Sequence, residues 1–399
     1  MSETASTADV LIAGGGLAGA ATALCLADAG LGTVLIDRAA FPRDKPCGEG
    51  LLPHGVEVLR DWGLGRVLDD AEAPPFRGIL YRCREVTAVG DFAGGARGRG
   101  VRRLRLDAAV RAAAAARPGC TLVQGTVADV AADDERVAVR LADGRWLRGR
   151  FLVGADGPRS LVRQRLGLDR GQPRHGRFAL RGHFRLAAGA ALPERVEVNV
   201  LPGYELYVTP VAPGLVGVAA LVERAVLQRG WGTPVARLAA LADACPAVRE
   251  RLAGATAEGE VLTCGPLRVR ARAVHRGRAA LVGDAAGYVD AITGEGMSLA
   301  LRTAELAAAW IAAVLRDGQP VGSAMRAYAA ARATIFRDHA LLTHGLVWLA
   351  RHPWLARRAV ARLAREPDLF TRLLEVNDGR RTLWSLPPTD ALKLALGAG

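Results

Sequence analysis

The chain has 399 residues, half of them hydrophobic, which is length for two or three domains and apolar content for a large core, and excludes a disordered protein. The formal net charge is +13, a balance that invites a nucleic-acid reading. Yet only Lys45 and Lys393 are lysines, the arginines are spread over the whole chain, and no run of about five or six like charges occurs, so the charge reads as an arginine preference and nucleic-acid binding is not expected.

The chain opens on an apolar stretch, residues 10–27, with the composition of a signal peptide. Glu3 and Asp9 precede it, no Lys or Arg does, and three consecutive glycines lie inside it, so it belongs to the fold. Residues 9–13 (DVLIA) suit a buried parallel strand. Gly14, Gly16 and Gly19 follow with the spacing G-x-G-x-x-G, Leu17 and Ala18 filling the last two variable positions. A helix is expected up to Ala29, stopped by Gly30 and Gly32, and then a second strand over 33–36 that ends at Asp37. Strand, glycine turn, helix, strand and acidic end within one short unit is the dinucleotide-binding fingerprint. Gly14 permits the tight turn, Gly16 lets backbone amides approach a pyrophosphate, and Gly19 lets the helix pack on the strand. The helix N-terminus adds partial positive charge, and Asp37 is placed to accept from a ribose hydroxyl.

Further along, residues 101–107 (VRRLRLD) read as a basic strand before a helix. Residues 136–141, the Asp143-Gly144 turn and residues 145–150 read as a hairpin, continued by a buried strand over 151–154 into Ala155-Asp156-Gly157. Strands are expected at 177–186, 195–200, 205–210 and 215–221; with no helices between them they form an antiparallel sheet set against the α/β part. Another buried strand, 279–282, ends at Gly283-Asp284. Long helices follow over 294–316 and 322–338, and the tail from Leu341 is helical and arginine-rich. No run of about 18 apolar residues occurs, so no spanning helix is expected. Cys25, Cys47, Cys83, Cys120, Cys245 and Cys264 form no C-x-x-C pair and no zinc-like spacing, so they read as reduced thiols of a cytoplasmic protein without a metal site.

Three segments narrow the dinucleotide to one cofactor: residues 152–160 (LVGADGPRS), 281–298 (LVGDAAGYVDAITGEGMS) and 101–107. With the first fingerprint they resemble the FAD-dependent group of aromatic hydroxylases, flavin halogenases and geranylgeranyl reductases, over most of residues 8–340. Residues 45–51 (KPCGEGL) resemble the K-x-C-G-x-G segment of the geranylgeranyl-reductase-like branch. The resemblance implies a Rossmann-type FAD-binding domain of three layers (ββα), with an inserted antiparallel-sheet substrate domain and a helical C-terminal region. The expected FAD-binding segments are 1–75, 101–173 and 265–340. Segments 76–100 and 174–264 belong to the substrate sheet, and 341–399 is the helical tail.

The resemblance also assigns roles. It implies that Asp284, after Gly283, bonds the ribityl chain. Gly294, Glu295, Gly296 and Met297 begin a helix whose amides face the flavin pyrimidine edge, where negative charge develops on reduction. Arg103 sits near the phosphate or ribityl part and Val127 presents backbone to the adenine. Asp156 and Gly157 belong to a motif tied to FAD and NAD(P)H, Arg38 and Lys45 lie in flavin-side segments, and Cys47, beside Gly48, approaches the isoalloxazine. Departures bear on the reaction: Gly287, Ala291 and Ser298 stand where hydroxylases often carry His, Pro and Asn. No W-x-W occurs, which disfavours tryptophan-type halogenation, and only Tyr207 remains of the aromatic-rich strand of the isoprenoid reductases.

On the substrate side, Arg181 and His183 alternate on one strand and share a face, as do Glu205 and Tyr207 on another. They are either substrate-facing groups that orient or protonate, or structural pairs. The tail residues 346–363 interleave Leu, Trp and Val with Arg351, Arg357, Arg358 and Arg362; packing on the catalytic domain is favoured over membrane-surface contact because Pro353 breaks the helix. The expectation is an FAD-dependent monooxygenase that hydroxylates a hydrophobic small molecule, a secondary metabolite free or held on a carrier protein, through a flavin hydroperoxide. Electrons come from NAD(P)H or a separate flavin reductase. The alternatives are reduction of a prenyl or polyene chain, a flavin dehydrogenase and a non-tryptophan halogenase.

Overall fold

The first unit is β1 (Thr7–Ala13), α1 (Leu17–Asp28) and β2 (Thr33–Asp37). The structure is a computed structural model that describes residues 7–69, 72–133, 135–171, 176–228 and 232–390; the outer ends of the first and last expected segments, 1–6 and 391–399, lie outside them. Next come β3 (Gly50–Leu51), α2 (Pro53–Asp61), β4 (Pro75–Phe76), β5 (Gly78–Cys83), β6 (Val86–Asp91) and β7 (Gly98–Gly100). The chain continues through α3 (Arg103–Ala115), β8 (Cys120–Gln124), β9 (Val127–Ala132), β10 (Val137–Leu141), β11 (Trp146–Gly154) and α4 (Leu161–Arg165). A run of strands follows: β12 (Phe178–Arg185), β13 (Val196–Leu201), β14 (Tyr204–Ala212) and β15 (Leu215–Val222). Then come α5 (Arg224–Leu227), α6 (Pro234–Asp243), α7 (Pro246–Arg251), β16 (Thr256–Cys264), β17 (His275–Arg276) and β18 (Ala279–Leu281). The chain closes with α8 (Gly296–Leu315), α9 (Val321–Ala350), α10 (Pro353–Arg365) and α11 (Pro367–Asn377).

β18, β11, β1, β2 and β8 lie parallel in that order, as expected of strands read as short continuous apolar runs. Alternate side chains then supply two cores. Val10, Ile12, Leu35, Phe151 and Val153 meet α1, α3 and α8 on one face. Leu11, Ile36 and Leu152 meet Val130, Val137 and Val139 of the β9–β10 hairpin on the other. This is the three-layer ββα arrangement. The Asp143-Gly144 turn lies between β10 and β11, with Gly144 at φ +91°. β11 extends into the parallel sheet, so one strand serves two layers.

The second sheet runs β16-β12-β15-β14-β13-β5-β6. It is antiparallel except where β13 lies parallel to β5, and β5 and β6 supply its far edge, whereas β4 and β7, at the ends of the expected segment 76–100, join β3 in a separate small sheet. Strand periodicity sorts its side chains. Leu180, Leu206, Val208, Val216 and Val218 face α6 and α7. Ile79, Val198, Tyr207, Ala219 and Leu221 face the other way, toward Ile292 and α10 and α11.

Two expectations about element bounds give way. Residues 101–107 are not a strand: α3 starts at Arg103, because Leu106, Val110 and Ala114 recur at helical spacing on its buried side. The helix expected to end at Asp338 runs unbroken to Ala350, so residue 340 lies inside it; the breaker is Pro353, which opens α10 at a position where proline costs no helical hydrogen bond. The apolar side of this tail is in use, with Ala356, Val360, Phe370 and Leu374 buried against the sheet. α8 is long and apolar enough to cross a bilayer, but 56% of its most apolar window is buried inside the protein. All six cysteines are free.

Candidate active site

The glycine turn after β1 is built on close approach. Gly14 has φ +104°, and a Cβ there would lie 2.4 Å from the Ala155 carbonyl oxygen. A Cβ on Gly19 would lie 1.8 Å from the Gly14 oxygen, so α1 can seat on the strand only with glycine there. Leu17 is buried in the core, and Ala18 touches the place where a Gly283 side chain would begin. The Asp37 carboxylate closes the turn, accepting from the Gly15 amide at 2.6 Å and the Ala39 amide at 2.8 Å.

Two cations flank this turn that the sequence did not single out. Arg43 lies 3.6 Å from Asp37, and Arg43 and Arg111 both stack on Phe41, 5.0 and 4.5 Å from its centroid. The Arg111 Nη1 atom is buried without a hydrogen-bond partner. A buried guanidinium donor left open beside a helix N-terminus fits an anionic ligand such as a pyrophosphate. Arg38, expected to help there, is exposed. Arg103 lies between Asp107, beside the glycine turn, and Cys47 of the loop 44–49. It is buried and held by Asp107 through two hydrogen bonds of 2.8 Å. Val127 lies half-buried at the start of β9. Asp156 accepts from the Val162 amide at 3.1 Å while its other oxygen has no partner, and burial raises its pKa. Gly157 beside it has φ +80°.

On the other side of the turn, Lys45 Nζ reaches Asp284 at 3.7 Å, each about one-third exposed. Gly283, at φ +54°, brings Asp284 against α1. Gly48, Gly294 and Gly296 have no atom within 4 Å of a would-be Cβ, so the backbone there borders open space. Partly exposed charges facing bare backbone suit the ribityl chain and ring edge of a flavin. Glu295 is different: its carboxylate turns to His339 Nδ1 at 2.7 Å and Arg302 at 3.8 Å, leaving only its backbone for a ligand. Met297 is likewise buried in the core.

The four substrate-side candidates are brought together, but mostly as structure. Arg181 and His183 share a face as expected, and that face grips the loop 44–49. Arg181 Nη2 donates to Asp44 at 2.6 Å and to the Lys45 carbonyl at 3.0 Å. Arg181 Nη1 lies 3.1 Å from His183 Nδ1; arginine can only donate, so Nδ1 accepts and Nε2–H donates to Glu49 at 2.6 Å. Glu49, fully buried and at φ +60°, also accepts from the Arg103 amide at 3.0 Å. Cys47 sits on this loop, its Sγ accepting from the Glu49 amide at 3.4 Å. Arg181 and His183 therefore position Lys45 and Cys47. Glu49 lies in the segment KPCGEGL without an expected role; the only local signal was an acid between two glycines.

Glu205 pairs with Arg177, which also holds Asp290 with Nε 3.0 Å from the carboxylate. Burial, only partly countered by Arg177 and reinforced by Asp290, pushes the Glu205 carboxyl up to about 7. Tyr207, its own pKa raised well above the usual value by burial and then by Glu205, donates to the Ile292 carbonyl at 3.2 Å. Asp290 accepts from the Ile292 amide at 3.1 Å. The cluster thus steers the backbone just before α8. Arg177 and Asp290 were missed because each looks like an isolated surface charge in sequence.

A ββα dinucleotide fold, an open anion site at its glycine turn and a Lys45–Asp284 pair beside bare glycines define a flavin-binding oxidoreductase. The chain belongs to the FAD binding domain family, whose profile matches residues 7–340. It is 31% identical over 321 residues to the menaquinone reductase of Mycobacterium tuberculosis, covering 76% of each chain. It is 30% identical over 343 residues to the ubiquinone hydroxylase UbiL of Rhodospirillum rubrum, covering 79% of this chain and 75% of that one. Its fold is shared with the flavin-dependent brominase Bmp2, with a TM-score of 0.84, 21% identity and coverage of 98% of this chain and 99% of that one. The protein is an FAD-dependent oxidoreductase.

Proposed function

We propose that the enzyme hydroxylates a hydrophobic, ring-bearing small molecule of the quinone class, in the cytoplasm, with electrons from NAD(P)H or a separate flavin reductase. The observation that carries this is the inner face of the seven-stranded sheet. Tyr81, Val198, Tyr207 and Ala219 lie in one row across β5, β13, β14 and β15, and Tyr207 bonds directly to Ile292 of the flavin-side loop. This row is apolar but packed under α10 and α11, with Tyr81 against Phe370, so it backs the flavin-side loop as a wall, and a flat apolar ring beside the flavin would meet it at the Tyr207–Ile292 end. FAD, when bound, supplies the two-electron and dioxygen chemistry. The protein's part is to hold the ring, keep water out and fix the Lys45–Cys47 loop. The names of the relatives above supply the quinone class.

The test is turnover in air with a quinone analogue carrying a short tail. NAD(P)H or reduced-flavin consumption that rises with the analogue and yields a hydroxylated product supports the proposal; consumption that yields only peroxide at every analogue tried overturns it. A second reading is reduction of a prenyl or polyene chain. Residues 45–51, similar to the reductase branch, and the mycobacterial relative's being a menaquinone reductase favour it. Saturation of the tail by the pre-reduced enzyme without oxygen would establish that reading instead.

A further inference from the structure

The family match ends at residue 340, yet the helices beyond it reach back to the flavin-side loop. At the C-terminal end of α11 the side chain of Asn377 donates from Nδ2 to the carbonyl of Thr293 at 3.0 Å. The next residue, Asp378, accepts from the His54 amide with both carboxylate oxygens at 3.1 Å, capping the start of α2. Arg380 lies 2.9 Å from Asp378 and 2.6 Å from Glu57, which closes the same corner. Both Asn377 and Asp378 are buried, at 6% and 2% exposure, so these bonds are shielded from water. Gly379 has no room for a side chain, because a Cβ would lie 2.0 Å from Arg302 Nη1. The chain is thus pinned at this turn.

Thr293 is the carbonyl immediately after Ile292, which Tyr207 holds, and immediately before Gly294, Glu295 and Gly296, whose backbone borders open space. Two successive carbonyls are therefore fixed from two directions, one by the substrate sheet and one by the C-terminal tail. A peptide plane has its carbonyl and amide on opposite edges, so fixing the Thr293 oxygen also fixes the Gly294 amide, which donates back to the Ala291 carbonyl at 3.1 Å and closes the turn from which α8 starts.

We propose that Asn377 is a positioning residue for the flavin: by holding the Thr293 carbonyl it aims the amides at the start of α8 at the FAD ring edge and so sets how much better the protein binds reduced FAD than oxidised FAD. This rests on the reading that Gly294–Gly296 border the flavin. Aligned amides and a helix N-terminus stabilise negative charge only when they point at it. A tail outside the family's matched region thereby tunes the redox centre.

The test uses the FAD-loaded full-length enzyme and three variants. Asn377→Leu removes the donor at similar volume, Leu374→Ala opens a cavity one turn earlier on α11 without removing a hydrogen bond to the loop, and Gly296→Ala adds a methyl where the protein itself leaves space. Midpoint potentials, FAD affinity and melting temperatures are measured for each. Asn377→Leu should keep bound FAD and lose about tenfold in the preference for the reduced form, a drop of ~30 mV for a two-electron couple. Leu374→Ala should lower the melting temperature and leave the potential unchanged. An unchanged potential in Asn377→Leu, or an equal shift in Leu374→Ala, overturns the proposal, since a merely structural tail predicts one or the other. Gly296→Ala separates the two layers of the argument: it should weaken FAD binding, and if it does not, the flavin lies elsewhere and the reading beneath the proposal is what has failed.

Discussion

The buried cluster of Glu205, Arg177 and Asp290 makes a quantitative prediction. One guanidinium faces two carboxylates in a region closed to water, and Glu205 is pushed from 4.5 to about 7. A carboxyl raised in the folded state binds its proton more tightly there than in the unfolded chain. Its contribution to stability is fully present below the unfolded value and is lost as pH rises through the folded one. A displacement of about 2.5 units at about 1.4 kcal/mol each is worth ~3 kcal/mol. With an unfolding entropy of about 2 cal/mol/K per residue over 399 residues, that is a shift of ~4 °C. Glu205→Gln keeps the shape and removes the titration. Because pH 5 already lies above the unfolded value, the melting temperature of the FAD-saturated variant minus that of the parent should rise by ~3 °C of this between pH 5 and pH 8, whatever its offset at pH 5. Other raised groups, such as Asp378 at about 7, titrate in both proteins and cancel in the difference. A difference that stays flat across this range would refute the reasoning that Arg177 is too shared to hold Glu205 ionised.

Three more outcomes follow from the site. His183→Leu strands the Glu49 carboxylate with one close backbone donor and should cost ~3 kcal/mol in denaturant unfolding; a loss under ~0.5 kcal/mol would mean that the His183–Glu49 contact carries little. Asp284→Ala should lower flavin occupancy, with FAD affinity down roughly tenfold to a hundredfold by titration of flavin fluorescence, and unchanged affinity would remove Asp284 from the flavin site. Arg111→Leu should weaken FAD by a similar factor while leaving riboflavin binding unaltered, because the open Nη1 is assigned to the pyrophosphate; equal losses for both ligands would contradict that.

What the sequence disclosed follows a physical division. Gly14 and Gly19 were legible because backbone approach admits no other residue, so the constraint is written at those positions. The alternation that put Arg181 and His183 on one face was legible too, since strand period is local. What that face meets is not local. Glu49 lies 134 residues from His183, and only the fold brings the loop onto β12. The same holds for Arg111, found beside Asp37 because α3 runs behind β2's turn, and for Asn377, 84 residues from Thr293. The partner of Arg103 was local, Asp107 one helical turn on, but its second contact, Cys47, is brought to it only by the fold.

Hydroxylation by an FAD enzyme requires an oxygen atom from dioxygen in the product. The most direct measurement is mass spectrometry of the product formed by the purified, FAD-loaded enzyme under isotopically labelled O₂ with a short-tailed quinone analogue. The account predicts one labelled oxygen per product molecule. A product that gains hydrogen and no label would contradict it and make the enzyme a reductase.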